Sequence, residues 1–171
     1  YLMIQSELID LKIMNSQMLI NISNFVKNRL IETIGVVLLI VAIFLLVSIG
    51  TYSPSDPNFI YTPESVNIKN WGGFFGSVVS DFLLQSIGLI SFLIIVNFAD
   101  SGFEIIKTKK INKFTSKVFF ILLYVIFGTA FVNIFSNESF WLIDNGNGGF
   151  VGRIFKENFY LLTYAIENQY I

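Results

Sequence analysis

The sequence predicts an all-α membrane protein made of a repeated helical hairpin, with three complete transmembrane helices and the start of a fourth. Three observations lead to this fold class: a low share of charged residues, three long uncharged runs and a glycine-rich motif that occurs twice. The chain is 54% hydrophobic and 13% charged, whereas a soluble domain carries about 25% charged residues. So little charge cannot cover a soluble globule, which favours a membrane class.

The composition also limits the chemistry of the chain. It contains no Cys and no His, which excludes thiol catalysis, imidazole acid–base catalysis and the usual zinc ligands. No paired acids lie within the apolar runs. We therefore predict no catalytic, cofactor-binding or metal-binding residues in this chain, and no enzymatic activity of its own.

The uncharged runs are long enough to cross a bilayer. They cover 23, 18 and 20 residues at positions 33–55, 82–99 and 118–137, and about 20 helical residues cross the hydrocarbon core. Backbone groups in hydrocarbon need internal hydrogen bonds, so we expect helices. The predicted spans are residues 34–51, 80–99 and 118–136.

The segment before the first span is harder to classify. The chain begins at Tyr1 rather than Met. Residues 1–23 are predicted to form a cytoplasmic tail or an amphipathic helix, with translated upstream sequence as the alternative for residues 1–17. The membrane domain is then residues 24–171.

The basic residues predict the orientation of the spans. Eight of the eleven Lys and Arg residues precede the first span or lie between the second and third, and such residues stay in the cytoplasm. We expect a cytoplasmic N-terminus and a cytoplasmic lysine loop. This loop, residues 107–117, contains Lys107, Lys109, Lys110, Lys113 and Lys117. Topology alone explains it, although binding of anionic lipid or nucleic acid is the alternative.

The outer loops carry helix-stopping and interfacial residues. Pro54 and Pro57 cannot continue a helix, so they are predicted to end the first span. Tyr52, Trp71 and Trp141 suit an aromatic belt at the membrane interface.

The glycine-rich motif indicates a parallel repeat. When Gly72 is aligned with Gly148, "GGFFGSVV" lies over "GGFVGRIF" and Asp81 lies over Glu157. Each copy then reads as a span, an outer loop, a glycine turn and a returning span. The fourth span is predicted to begin near Phe155 and to continue past Ile171.

The glycines are predicted to serve close helix packing. Residues four apart share one helix face, and glycine lets two helices approach closely there. An anion-binding glycine loop would need a following Lys-Ser/Thr, which is missing in both copies. The predicted packing residues are Gly72, Gly73, Gly76, Gly148, Gly149 and Gly152.

Asp81 is the acid whose position is unusual. In a continuous helix from about Trp71 to Ala99 it would lie near the outer membrane boundary. A buried intramembrane acid would instead suggest a proton relay or an ion site. No second carboxylate or basic partner is evident nearby in the sequence, which favours the boundary position.

The combination of motifs resembles a known family. "YSPSDPNF" (52–59) and "NWGGFFGSVVSDFLLQSIG" (70–88), each beside a span, are similar to the N-terminal four-span membrane domain of FtsK/SpoIIIE-type DNA translocases. The resemblance covers residues 24–171, and "NGNGGFVG" (145–152) extends it to the second hairpin.

The resemblance implies a function for the whole protein. It implies a homo-oligomeric anchor in the bacterial inner membrane at the division septum, in contact with other division proteins. It also implies a separate motor that binds ATP, Mg²⁺ and DNA during chromosome segregation. This chain has no GxxxxGK[ST] motif, so no motor residue is carried over.

A different class of membrane protein is the alternative. Half of a small transporter or channel could also consist of repeated hairpins. Transporters usually have broken helices or charged residues in the membrane. The three runs here contain neither charge nor, within the spans themselves, proline, which favours an anchor.

Overall fold

The computed structural model describes residues 2–61, 67–111, 113–135, 145–160 and 164, with side chains described from Lys12 onwards. All regular secondary structure in these residues is helical. The helices are α1 (Leu2–Gly50), α2 (Gly73–Ile87), α3 (Ser91–Thr108), α4 (Phe114–Phe135) and α5 (Gly149–Asn158), and a short 3₁₀ helix, Gly88–Ile90, joins α2 to α3. The predicted all-α fold class is confirmed.

Three helical stretches have the length and composition to cross a membrane. They are Lys12–Gly50, Gly73–Thr108 and Phe114–Phe135. Most of their large apolar side chains are exposed, as in Ile43 and Phe127, which are 63% and 61% exposed. Such surfaces are stable against lipid rather than water.

The first helix is longer than the predicted span. Residues 2–23, expected to form a tail or an amphipathic helix, belong to the same helix as the apolar run. At 1.5 Å per residue its 49 residues extend about 74 Å, more than the thickness of a bilayer. It ends at Gly50, four residues before Pro54.

The second span differs from the prediction because it is not one continuous helix. Gly88 interrupts it with a φ of 58° and a ψ of −141°, a conformation that is almost restricted to glycine. Beyond this break α3 continues past Ala99 to Thr108, where Lys109 adopts a left-handed conformation. The helical stretch that crosses the membrane after the first glycine turn, which we call the return, therefore consists of two helices, α2 and α3.

The core lies between α1 and the two helices of the return. Ala42, Leu45 and Ile49 from α1 pack with Leu84 of α2 and Ile95 of α3. Nearer the lysine loop, Gly35 and Gly102 allow α1 and α3 to approach closely. A Cβ atom on Gly35 would lie 2.9 Å from the carbonyl oxygen of Gly102, and one on Gly102 would lie 2.9 Å from the carbonyl oxygen of Gly35.

The second hairpin packs against the first. α5 contacts both α4 and α2, and α4 also contacts the 3₁₀ helix. The break at Gly88 is thus the place where the two hairpins meet.

Candidate functional site

The two glycine turns form the candidate functional site, since they fix the position of every returning helix. We define the first turn as residues 67–76 and the second turn as residues 145–152. In both turns the first residue of the following helix has a positive φ, 65° at Gly73 and 64° at Gly149. Both helices also begin without a side-chain N-cap hydrogen bond.

Gly72 and Gly76 of the first turn lie against the end of α1. A Cβ atom on Gly72 would lie 2.5 Å from Ser48 Oγ, and one on Gly76 would lie 2.9 Å from the same atom. Real Cβ atoms do not approach this closely. Glycine at these positions therefore lets α2 pack directly on α1.

Gly148 and Gly152 of the second turn lie against the end of α4 in the same way. Cβ atoms at these positions would lie 2.8 Å and 2.5 Å from the carbonyl oxygen of Thr129, and 2.7 Å and 3.0 Å from Asn133 Cβ. The second turn thus repeats the packing of the first turn. Gly149 instead approaches the backbone of Ile87 and Gly88, and a Cβ atom on Gly73 would have nothing within 4 Å, so Gly73 makes no close contact of this kind.

A buried carboxylate holds the backbone of the first turn. Asp56, which is 4% exposed, accepts hydrogen bonds from the backbone N–H groups of Lys69 (3.0 Å) and Asn70 (2.8 Å). Ser77 Oγ donates to the carbonyl oxygen of Pro57 at 2.8 Å. The segment that contains Pro54 and Pro57 therefore follows the end of α1 and also holds the first turn in place through hydrogen bonds.

Asn70 connects the first turn to α1. Its Nδ2 donates to the carbonyl oxygen of Ser48 at 2.7 Å, and its Oδ1 accepts from the N–H of Gly72 at 2.8 Å. The side chain thus satisfies a carbonyl at the end of one helix and an N–H at the start of the next. The sequence signal that could have revealed this role is an Asn placed two residues before a glycine pair.

The second turn is held by the break in the first hairpin. The backbone N–H of Leu89 donates to the carbonyl oxygen of Asn147 at 2.9 Å. A Cβ atom on Gly88 would lie 1.9 Å from that same oxygen. Asn145 Nδ2 donates to Gln85 Oε1 at 3.0 Å. Only a glycine at position 88 leaves room for the second turn.

Asp81 has a partner that sequence reasoning missed. Tyr52 donates its phenolic hydrogen to Asp81 Oδ1 at 3.0 Å, and Gln85 Nε2 lies 3.4 Å from the same phenolic oxygen. Because Gln85 also binds Asn145, a polar path links the segment just after α1, α2 and the second turn. The position of Tyr52 next to the first span indicates a belt residue, and no local pattern links its hydroxyl to Asp81, 29 residues away.

The other predicted residues occupy varied positions. Trp71 is 83% exposed beside the first turn, while Trp141 lies outside the described residues. Lys107, Lys110 and Lys113 are exposed, Lys109 pairs with Glu32 at 2.9 Å, and Lys117 pairs with Glu104. Within the part of the chain that the structure describes, no three His, Cys, Asp or Glu residues are placed to hold a metal ion.

The fold and the site define a multi-pass helical membrane protein whose spans are connected by close-packed glycine turns. Its family follows from comparison with known proteins. A model of the "4TM region of DNA translocase FtsK/SpoIIIE" matches residues 27–163, and the chain belongs to this family. It is thus a multi-pass inner-membrane protein.

Individual relatives agree with the family match. The chain is 38% identical to the DNA translocase FtsK of Azospirillum brasilense over 71 residues, which are 41% of this chain and 11% of that protein. It is 29% identical over 79 residues to the DNA translocase FtsK of Shewanella oneidensis, covering 46% of this chain and 9% of the relative. Both matches span only about a tenth of the relative's length. No solved structure matches the chain.

Proposed function

We propose that this chain is the inner-membrane anchor and oligomerisation domain of a DNA translocase that acts at the division septum. The observation that carries the proposal is the match of residues 27–163 to the membrane region of such translocases. In the full-length protein, ATP, Mg²⁺ and DNA would bind a motor domain, and the membrane domain would hold that motor beside the closing septum during chromosome segregation.

The unburied apolar faces of the spans support self-association. Ile40, Ile43 and Leu46 form an exposed stripe on α1, and Phe120, Phe127 and Phe131 form another on α4. In a membrane such faces contact either lipid or other helices. Two separate faces on one chain would allow a closed ring of several copies.

The absence of cysteine allows a direct test of self-association. The variants Ile43→Cys and Phe127→Cys each place one thiol on one exposed face. Treating membranes that contain each variant with a short bismaleimide should produce cross-linked dimers for at least one face. Monomers alone for both variants, despite full labelling of the thiols, would contradict oligomerisation.

The proposed orientation has its own test. A reporter that is active only in the periplasm should be active when fused after Phe59 and inactive when fused after Lys110. The physical reason is the concentration of basic residues on the lysine-loop side. The opposite pattern would reverse the orientation.

The septal role can be tested with a chimera. This chain would replace the matched region of the Shewanella oneidensis relative, and the fluorescently labelled chimera would be imaged in dividing cells that lack the native protein. A band at the division site and normal chromosome separation are expected. Uniform membrane fluorescence with unseparated chromosomes would contradict the septal role.

Half of a small transporter is the second candidate, and the broken helix at Gly88 is the observation that favours it. Transporters often place substrate and ion sites at such breaks. Here, however, the hydrogen bonds at the break come from the Asn147 carbonyl and from the amide side chains of Asn145 and Gln85 rather than from a charged group. The break therefore serves packing between the hairpins, which supports the anchor.

A further inference from the structure

A crevice at the lysine-loop end of the membrane domain has no role in the packing described above. It has a volume of about 550 Å³ and lies between α1, α3 and α4. Its walls are mainly apolar, including Leu38, Ile94, Phe98, Phe114 and Val118. Lys117 and Glu104 lie at its polar end.

The crevice exists because α3 and α4 belong to different packing units. α3 packs mainly on α1, whereas α4 packs mainly on α5. Polar contacts bridge the space between them: Lys117 binds Glu104, and Asn97 Nδ2 donates to the Tyr124 hydroxyl at 3.0 Å. These polar contacts connect α3 to α4, but no side chain of the described residues fills the apolar crevice between them.

The charge around the opening is positive. The nearby acids already have basic partners: Glu32 pairs with Arg29 and Lys109, and Lys117 pairs with both Glu104 and Asp100. Three exposed lysines of the same loop have no ion pair within the described residues, namely Lys107, Lys110 and Lys113. Lys110 and Lys113 directly precede Ile111 and Phe114, which line the crevice.

We propose that the crevice binds an anionic phospholipid. One acyl chain lies between α3 and α4, and the phosphate lies at the opening beside Lys110 and Lys113. The lining extends from Ile105 to Ile94, eleven residues or about 16 Å along α3, which suits much of an acyl chain. The excess of positive charge selects an anionic headgroup over a zwitterionic one.

The charge part of the proposal is tested with Lys110→Gln/Lys113→Gln. The purified chain in detergent is mixed with phosphatidylglycerol or with phosphatidylcholine, and bound lipid is quantified by native mass spectrometry. Each lysine near an anionic surface contributes about a fivefold factor in affinity, so the double variant should bind phosphatidylglycerol about 25-fold more weakly. Lys12→Gln/Lys69→Gln removes the same charge at positions far from the crevice, Lys12 being 22 residues before Ile34 on α1 and Lys69 lying in the first turn, and should bind normally.

The position of the acyl chain is tested with Ile121→Trp. Ile121 lines the crevice on α4, so the larger side chain should reduce the binding of either lipid at least tenfold. Leu122→Trp makes the same kind of change on the neighbouring exposed surface, where Leu122 is 58% exposed, and should have no effect. Size-exclusion chromatography of both variants is the check that they are folded.

Three results would overturn the proposal. They are equal affinity of the unmodified chain for both lipids, unchanged binding by the lysine variant, and equal binding by the two tryptophan variants. Binding of a short DNA duplex by the loop, with no lipid selectivity, would assign the lysines to nucleic acid instead. None of these results depends on septal localisation or on cross-linking between copies, so lipid binding and the anchoring role can fail separately.

Discussion

Both glycine turns pack against the end of the preceding helix, but within the described residues their supporting hydrogen bonds differ. In the first turn the backbone is held by Asp56 and Asn70, which belong to the same hairpin. In the second turn the carbonyl of Asn147 and the side chain of Asn145 bind Leu89 and Gln85, which belong to the other hairpin.

Among the described residues, the supporting contacts of the two turns thus come from different parts of the chain although the glycine contacts are repeated. The outer segment between α1 and α2 is long enough to fold back on its own turn, with 22 residues between Gly50 and Gly73. Only 13 residues separate Phe135 from Gly149. We therefore expect the first hairpin to hold its turn independently, and the second to depend on the break at Gly88.

The largest expected effect comes from Gly88→Ala. The methyl group would meet the Asn147 carbonyl at 1.9 Å, and the backbone conformation is unfavourable for alanine. Strain and overpacking together should lower the free energy of unfolding by about 4 kcal/mol, measured by SDS titration in mixed micelles. Gly50→Ala, which has open space around it, should change it by less than about 0.5 kcal/mol. Similar losses for both variants would show that the break is unimportant.

Asp56→Ala should affect the first turn alone. It leaves the backbone N–H groups of Lys69 and Asn70 without their acceptor, at a cost of about 3 kcal/mol in unfolding free energy. Thiol labelling of Val78→Cys, which is buried just after the first turn, should increase, while labelling of the half-buried Val151→Cys in the second turn should not. Asp100→Ala, at an exposed acid near the lysine loop, is the control. Equal exposure of both turns would disprove their separate support.

Gly152→Ala and Gly76→Ala compare how rigid the surroundings of the two glycine turns are. The nearest atom to a Cβ on Gly152 is the backbone oxygen of Thr129 at 2.5 Å, whereas on Gly76 it is the side-chain oxygen of Asn70 at 2.5 Å. A side chain can move more easily than a helix backbone. The expected losses in unfolding free energy are about 2 kcal/mol for Gly152→Ala and about 1 kcal/mol for Gly76→Ala. The reverse order would indicate that the first turn is the more rigid one.

An effect as small as that of Gly76→Ala is expected for Tyr52→Phe. Removing the hydroxyl takes away the donor to Asp81 while the ring still contacts the core. The unfolding free energy should fall by about 1 kcal/mol. Tyr61→Phe, at an exposed outer-loop position, should leave it unchanged. A loss as large as that of Gly88→Ala would mean that the polar path, rather than the break, joins the hairpins.

Apolar length and charge were sufficient to predict the helical class. The uncharged runs predicted where the three spanning helices lie, because hydrocarbon permits few other structures. The spacing of Gly72, Gly76, Gly148 and Gly152 predicted close packing, and the structure supplies the surfaces that they contact. Such local signals depend only on residues near one another in sequence.

The remaining features depend on contacts between distant residues. Gly88 lies inside an apolar run, where a glycine is compatible with an unbroken span, and its role depends on Asn147 from the other hairpin. Asp56 lies between the two prolines that were predicted to end the first span, but the backbone groups that it binds are 13 and 14 residues away. Gly35 and Gly102 meet across two helices and share no local motif.

The contact between the second turn and the break can be measured directly by cross-linking. In the cysteine-free chain, Gln85→Cys/Asn145→Cys replaces two side chains whose polar atoms lie 3.0 Å apart. A short bismaleimide should join them within one chain, and adding Gly88→Ala should abolish the product. The pair Gln85→Cys/Lys110→Cys, at opposite ends of the return, should not react. If the thiols at positions 85 and 145 are both fully accessible but never cross-link, the proposed contact between the second turn and the first hairpin is contradicted.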